Sequence, residues 1–316
     1  MRIVFMGTPD FSATILENLI PTHEVVAVFT RPDAVRGRGN KLVPSPVKVV
    51  AESAGVPVFT PRTLRDPQLV SDLTMIAPDA ICVAAYGAIL PQEILDIPHF
   101  GCLNVHASSL PAWRGAAPIE HAILAGDAEA GVCIMRMEAG MDTGDYCIVR
   151  TTEIGEKNTT ELTAELADLG SSALLTALSM IEQGTVEWTK QDDFFATYAD
   201  KIEKGQFFLR PAGTAAETVR NIQASSAAHP ARAIIAGRPV TVTRAARVTS
   251  RLLRADLALE AGHAILFQKK LYLGMSDQPI EVLELKPDGK REMTGAQFAA
   301  GVPGIKQGAV WEAFDV

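Results

Sequence analysis

MRIVFMGTPDFSATILENLIPTHEVVAVFT, Met1–Thr30, contains two apolar runs of strand length with one helix-length segment between them. RIVFM (2–6) is a short apolar strand, Phe11 to Leu19 carries apolar residues at helical spacing, and EVVAVFT (24–30) is a second strand. The first run reaches the Gly7-Thr8-Pro9 turn too early for a secretion signal, so it is expected to be a strand. The alternation continues outward, with a helix from Val47 to Ala54, a strand VPVF (56–59) and a helix over 66–77. The apolar runs DAICVAAY (79–86) and GCLNV (101–105) follow, then a helix from about Pro118 to Leu124. Short apolar strands separated by helices predict an α/β fold with a doubly wound, mostly parallel sheet buried on both faces. Such sheets bind ligands beyond the carboxyl ends of their strands. That rule selects Gly7-Thr8-Pro9, Tyr86 to Leu90 and Asn104 to Pro111.

From residue 131 the pattern changes. GVCIMRME and DYCIVRTTEI read as a strand pair enclosing the turn AGMDTG (139–144), and a long helix is expected over roughly 159–182. Residues 184–205 are polar and irregular and read as a linker. Beyond them, RPVTVTRA (238–245), HAILFQ (263–268), KLYLG (270–274) and IEVLELKPDG (280–289) alternate as strands, with Pro287-Asp288-Gly289 a turn signal. The expected division is therefore 1–183, a linker 184–205, and a smaller all-β, OB-like barrel over 206–316.

Composition limits the function classes. Apolar content of 47% with 21% charged residues is that of a globular protein, and no run approaches the roughly 20 apolar residues of a membrane span. Cys82, Cys102, Cys133 and Cys147 lie in or beside apolar segments without CxxC spacing, as expected for reduced core residues of a cytoplasmic protein. Residues 1–200 carry 13 Lys and Arg against 26 Asp and Glu, net −13, whereas 201–316 carry 16 against 11, net +5. An acidic body with a basic tail fits a tail that meets a polyanion, and equally a solvated surface.

Asn104-Val105-His106 lies where a strand should end. Residues i and i+2 of a strand face one side, so the amide and the imidazole converge on one point. The amide is a neutral donor suited to a carbonyl oxygen gaining negative charge, and the imidazole can donate or take a proton. Asp142, in Met141-Asp142-Thr143-Gly144-Asp145, is the candidate third member, because a carboxylate beside His106 fixes its tautomer. Asp142 and Asp145 are equally ordinary turn formers, and spacing does not bring Asp142 to His106. GxSxG, GxGxxG and GxxxxGK[ST] are absent, which points away from an acyl-enzyme, a dinucleotide and a P-loop. His99, His106 and His121 share no ligand spacing, so no metal is expected. The loop RPDAVRGRGNKLVPSPVK (31–48) sets Arg31, Arg36, Arg38 and Lys41 among glycines in an otherwise acidic region, a composition suited to phosphate contacts.

These residues resemble the 10-formyltetrahydrofolate-dependent formyltransferases, and within them the branch that acts on methionyl-tRNA. The likeness is carried by FMGTPDF (5–11), GRGNKLVPSPVK (37–48), NVHASSLPAWRGAAPI (104–119), GMDTGD (140–145) and ELKPDGKREMTGAQF (284–298), and spans most of the chain. It implies a Rossmann-like catalytic domain that transfers the formyl group of 10-formyltetrahydrofolate to the methionine of initiator tRNA. Asn104 and His106 then stabilise the oxyanion, and Asp142 orients His106 and takes part in proton removal. The folate pocket is implied at Tyr86, Gly87, Ala88, Ile89, Leu90, Ser108, Ser109, Leu110, Pro111, Glu138, Ala139, Gly140 and Met141, with a cis Leu110-Pro111 bond. Arg36, Arg38 and Lys41 are implied to grip the acceptor end of the tRNA, and the tail its backbone. A cytoplasmic monomer is expected.

The chain departs from the family pattern in reading Ser108-Ser109-Leu110-Pro111 where relatives have Ser-Leu-Leu-Pro, and in GQFFLRPAG (205–213) and ASSAAHPARAI (224–234) at the junction. A small amine such as an amino-sugar nucleotide is the other acceptor within the family, against which the basic loop and tail argue. A folate- or RNA-binding protein without catalysis has no need of Asn104, His106 and Asp142 together.

Overall fold

The computed structural model describes residues 1–35, 42–257 and 259–314. They form two compact units, one of Met1–Pro118, Glu129–Glu153 and Leu162–Asp200, the other of Ile119–Ala128, Ile154–Glu161 and the chain from Lys201.

The first unit is built on a seven-stranded sheet in the order Tyr146–Glu153, Glu129–Arg136, Cys102–His106, Ala80–Ala84, Arg2–Gly7, Glu24–Phe29, Val58–Phe59. The five strands from Cys102–His106 to Val58–Phe59 run parallel, and the other two add antiparallel at one edge. Ile3 to Met6 and Ala80 to Ala84 are buried without a break, as parallel strands covered on both faces must be. The expected helices are present as Asp10–Leu19, Pro46–Ser53 and Pro67–Ile76. Two of them start where their sequences dictate. Ser45 accepts from the Lys48 N–H and Asp66 from the Gln68 N–H, each followed by a proline whose missing N–H costs nothing at that position.

Two close approaches fix the carboxyl edge of the sheet. A Cβ on Gly7 would lie 2.6 Å from Ser12 Cβ, so only glycine lets the first helix start against the strand end, where Ser12 Oγ donates to Ala84 O at 2.6 Å. A Cβ on Gly170 would lie 2.8 Å from Val105 and 3.1 Å from Val132. The helix Thr159–Glu182 thereby presses on the sheet directly behind Val105. That helix is long and apolar enough to cross a membrane, and about half of its apolar stretch is buried here. Leu162, Leu166, Ala173, Leu174, Ala177 and Leu178 supply the buried side at helical spacing.

The second unit holds a closed six-stranded antiparallel barrel of Arg232–Ile235, Arg238–Arg247, Ile280–Pro287, Lys270–Leu273, His263–Phe267 and Ala309–Ala313. Four of these strands are those read from the sequence; Arg232–Ile235 and Ala309–Ala313 are added, and the second closes the ring. The unit also carries helices Ala215–Ala224, Arg251–Leu257 and Gly295–Ala300, which an all-β reading omits. The first and last have full capping boxes, Thr214 with Glu217 and Thr294 with Gln297, a signal present in the sequence. The divergent junction is packed rather than loose. Phe207 and Leu209 are buried, and Phe208 meets Phe314 edge-on at 5.4 Å, itself covered by the Arg232 guanidinium at 3.6 Å.

Candidate active site

The strand Cys102–His106 ends between Ala80–Ala84 and Glu129–Arg136, with Asn104 opposite Val83 on one side and Met135 on the other. Val105 points to the Gly170 helix, so the alternation of the strand turns Asn104 and His106 to the opposite face. His106 is buried, and its Nε2 lies 3.0 Å from the Trp113 carbonyl oxygen. A carbonyl can only accept, so Nε2 carries a hydrogen and Nδ1 is the nitrogen left for chemistry. Nδ1 faces Asp142 Oδ1 at 3.8 Å, both groups mostly shielded from solvent. This is ion-pair distance and too long for a hydrogen bond.

Asp142 reaches that position by an unusual backbone. Its φ is +53°, a left-handed conformation that costs a non-glycine residue on the order of 1–2 kcal/mol. The turn around it has no room for larger residues: a Cβ on Gly140 would meet Thr143 Oγ1 at 2.1 Å and one on Gly144 the Arg136 carbonyl at 1.9 Å. Asp142 Oδ2 accepts the Gly115 N–H at 2.9 Å, which aims the other carboxylate oxygen at His106.

The segment read as a linker supplies the rest. Arg114–Gly115 pairs with Tyr198–Ala199 as a short parallel ladder, Thr189 bridges Tyr146, and Trp113 N donates to Thr197 Oγ1. Gln191, buried, donates from Nε2 to the carbonyls of Asp142 at 2.8 Å and Gly144 at 2.7 Å. Its Oε1 accepts from Arg114 Nε at 2.9 Å, and Arg114 also donates to Asp193 at 2.8 Å. Nothing in the sequence distinguished Gln191 from its polar neighbours.

The residues assigned to a folate wall are placed unequally. Tyr86 and Leu90 are core side chains in the cluster with Val4, Met6, Ile81 and Ile94, while Ile89 is 90% exposed on the same edge. Burial pushes the Tyr86 hydroxyl above its ordinary range, with the Arg31 charge offsetting part, and the hydroxyl has no hydrogen-bond partner among the described residues. The Tyr86 carbonyl accepts from Thr8, which ties this loop to the Gly7-Thr8-Pro9 turn. Gly87 is exposed and Ala88 half-buried. Ser108 is buried and donates to the Ala112 carbonyl, and Ser109 is partly buried against Gly131. Leu110 packs on Cys133 and Met135, and the Leu110-Pro111 bond is cis. Glu138, Ala139, Gly140 and Met141 are all exposed. Cys82, Cys102 and Cys133 are free and buried, and Cys147 is free and half-buried. Arg36, Arg38 and Lys41 lie outside the described residues; the chain on either side pairs as Ala34–Val35 with Leu42–Val43. An open polar cleft of about 410 Å³ lies at the amino ends of the strands, among Arg2, His23, Glu24 and Asp79, at the far end from His106.

Comparison with known proteins gives this geometry a family. Residues 1–178 match the formyl transferase family and 201–303 its C-terminal domain. Methionyl-tRNA formyltransferase of Rhodopseudomonas palustris (strain BisB18) is 40% identical over 306 residues, covering 96% of this chain and 97% of that protein. The enzyme of the same name from Pseudomonas syringae pv. syringae (strain B728a) is 50% identical over 225 residues, 70% of this chain and 72% of that one. Among solved structures, the sugar 3N-formyl transferase WlaRD superposes with a TM-score of 0.65 at 15% identity, over 92% of this chain and 99% of that one. HypX from Aquifex aeolicus, in complex with tetrahydrofolic acid, superposes with a TM-score of 0.61 at 16% identity, over 95% of this chain and 47% of that one. These structural likenesses are of fold, whereas the two domain matches and the sequence identities agree on descent: the chain belongs to the formyl transferase family.

Proposed function

We propose that the chain transfers the formyl group of 10-formyltetrahydrofolate to the α-amino group of methionine on initiator tRNA, in the cytoplasm, as a step of translation initiation. The observation that carries the reading is His106 Nδ1 facing the Asp142 carboxylate across 3.8 Å at the end of a central strand, with Asn104 on the same face. The formyl oxygen sits against the Asn104 amide and His106 Nδ1. As the amine attacks the formyl carbon, the oxygen gains charge and the Asn104 amide tightens on it, as does Nδ1 when the ring carries a hydrogen on both nitrogens; each such donor contributes on the order of 3 kcal/mol to the transition state. The amine proton passes to the Asp142 carboxylate, the carbon–nitrogen bond to the folate breaks, and the same proton is handed on to the departing nitrogen, which leaves Asp142 ionised again. With Nε2 committed to the Trp113 carbonyl, the imidazole cannot turn away from this centre.

The residues present suit a folate. Ile89 and Met141 are apolar yet 90% and 63% exposed, and Gly87 and Gly140 carry no side chain, which leaves apolar surface and accessible backbone for a flat heterocycle. On this reading the first unit, including residues 184–200 of the connection, carries the chemistry. The Arg36, Arg38 and Lys41 loop grips the acceptor end and the basic barrel contacts the RNA backbone, so a monomer suffices.

The test is formylation, with 10-formyltetrahydrofolate, of initiator Met-tRNA, elongator Met-tRNA and an amino-sugar nucleotide offered separately. Formyl-methionine is expected on initiator tRNA above all. Product on the amino sugar alone, or on none of the three, would overturn the reading.

A further inference from the structure

We propose that Gln191 and Arg114 are positioning residues for Asp142, forming a buried clamp that holds the turn in the one conformation from which the carboxylate faces His106. The inference rests on the functional reading above and deepens it.

Gln191 has one amide group, whose nitrogen is used on this turn and whose oxygen is used on Arg114. Both carbonyls that receive the amide hydrogens, those of Asp142 and Gly144, belong to the turn itself, at 2.8 and 2.7 Å. Which end of the amide faces them is fixed by Arg114. A guanidinium only donates, so the Gln191 atom 2.9 Å from Arg114 Nε must be the oxygen, and the nitrogen must face the turn. Arg114 immediately precedes Gly115, whose N–H holds the Asp142 side chain at 2.9 Å. One two-residue strand therefore controls both the carboxylate of Asp142 and, through Gln191, its main chain. That strand is itself fixed, because Arg114 and Ala116 donate their backbone N–H groups to Thr197 and Ala199 at 2.9 and 2.8 Å.

Burial makes the arrangement costly unless it is used. Arg114 is 3% exposed and Gln191 7%, and a buried guanidinium or amide is stable only with its partners in place. The backbone of Asp142, at φ +53°, does not hold itself, since strained conformations persist only where the surroundings over-determine them. Gln191 is the group that over-determines this one. The stretch 189–199 within the 184–205 segment is therefore part of the catalytic apparatus rather than a spacer.

A mere fold staple and a positioning clamp differ in how their loss combines with loss of Asp142. The experiment compares Gln191→Ala, Gln191→Glu, Asp142→Asn and the double variant Gln191→Ala/Asp142→Asn, reading kcat, KM for both substrates and the thermal midpoint. Gln191→Glu keeps the acceptor for Arg114 and the side-chain volume but removes the two donors, so it decides the matter if the alanine variant folds poorly. Both single Gln191 variants should lower kcat by about 10- to 100-fold, with KM changed less than about threefold, the scale expected when a catalytic group is displaced by about 1 Å. In the Asp142→Asn background, Gln191→Ala should cost less than about twofold more, because its only catalytic effect is already gone. Unchanged kcat in Gln191→Glu beside a large loss in Asp142→Asn would overturn the clamp and leave the functional reading standing. Equal losses from Gln191→Ala in both backgrounds would do the same. Near-normal turnover of Asp142→Asn would overturn the functional reading, and the clamp with it.

Discussion

Replacing Gly115 with alanine tests how the Asp142 carboxylate is aimed. Gly115 has φ +125°, and an added Cβ would lie 2.5 Å from the Ala199 carbonyl oxygen, a backbone atom that cannot step aside alone. Either the residue abandons its conformation or the ladder Arg114–Gly115 with Tyr198–Ala199 separates. Holding a non-glycine residue in such a conformation costs about 1–3 kcal/mol. Withdrawing the Gly115 N–H from Asp142 Oδ2 removes a bond to a charged acceptor, about 1.5–3 kcal/mol more. The variant should therefore be destabilised by about 3–6 kcal/mol, a fall in melting temperature on the order of 10 °C. Its kcat should drop about 10- to 100-fold at temperatures where it remains folded, since Asp142 loses the contact that orients it. The assay is steady-state formylation alongside calorimetry on the same preparation. A variant with parental kcat and melting temperature would refute the reasoning, because the 114–115 strand would then have no hold on Asp142.

Other predictions follow from single contacts. Gly170→Ala should destabilise the chain by about 1–3 kcal/mol in denaturant titration, because its Cβ would overlap Val105 and Val132 behind the site; unchanged stability would mean that the helix stands off the sheet. Arg38→Ala should weaken use of Met-tRNA and reduce the slope of log affinity against log salt by about 1, leaving folate affinity unchanged; a loss of folate affinity instead would remove the loop from the RNA side. The thiols should resist alkylation at pH 8 in the native state. Burial pushes Cys102 and Cys133 up to about 12 and Cys147 up to about 11, so the reactive thiolate is scarce until the chain unfolds. Mass spectrometry after a short iodoacetamide exposure would detect early labelling of Cys133 if that account is wrong.

What the sequence disclosed, and what it hid, follows the range of the interactions. The parallel sheet was legible because each buried strand is a local apolar run, and Asn104 and His106 because a two-residue period places them on one face. The meeting of Asp142 with His106 spans 36 residues and came from family likeness, not from spacing. Gln191 was hidden because a buried glutamine and a solvated one look alike in a polar segment, and its partner Arg114 lies 77 residues away. Tyr86 was assigned to the folate wall from its place beyond a strand end and from family likeness; its ring packs in the core cluster with Val83 and Leu90. The Ala215–Ala224 helix was announced by Thr214 and Glu217, a local signal obscured by the alternating strands around it.

The most direct test of the account is the rate of formyl transfer in a single turnover by His106→Ala, at saturating 10-formyltetrahydrofolate and initiator Met-tRNA, against the parent chain. Nε2 is held by Trp113 and Nδ1 faces Asp142, so the imidazole is fixed toward the carboxylate. The rate should fall by at least about a hundredfold with binding of both substrates retained. A near-parental rate in a folded His106→Ala protein would contradict the account and place the chemistry elsewhere.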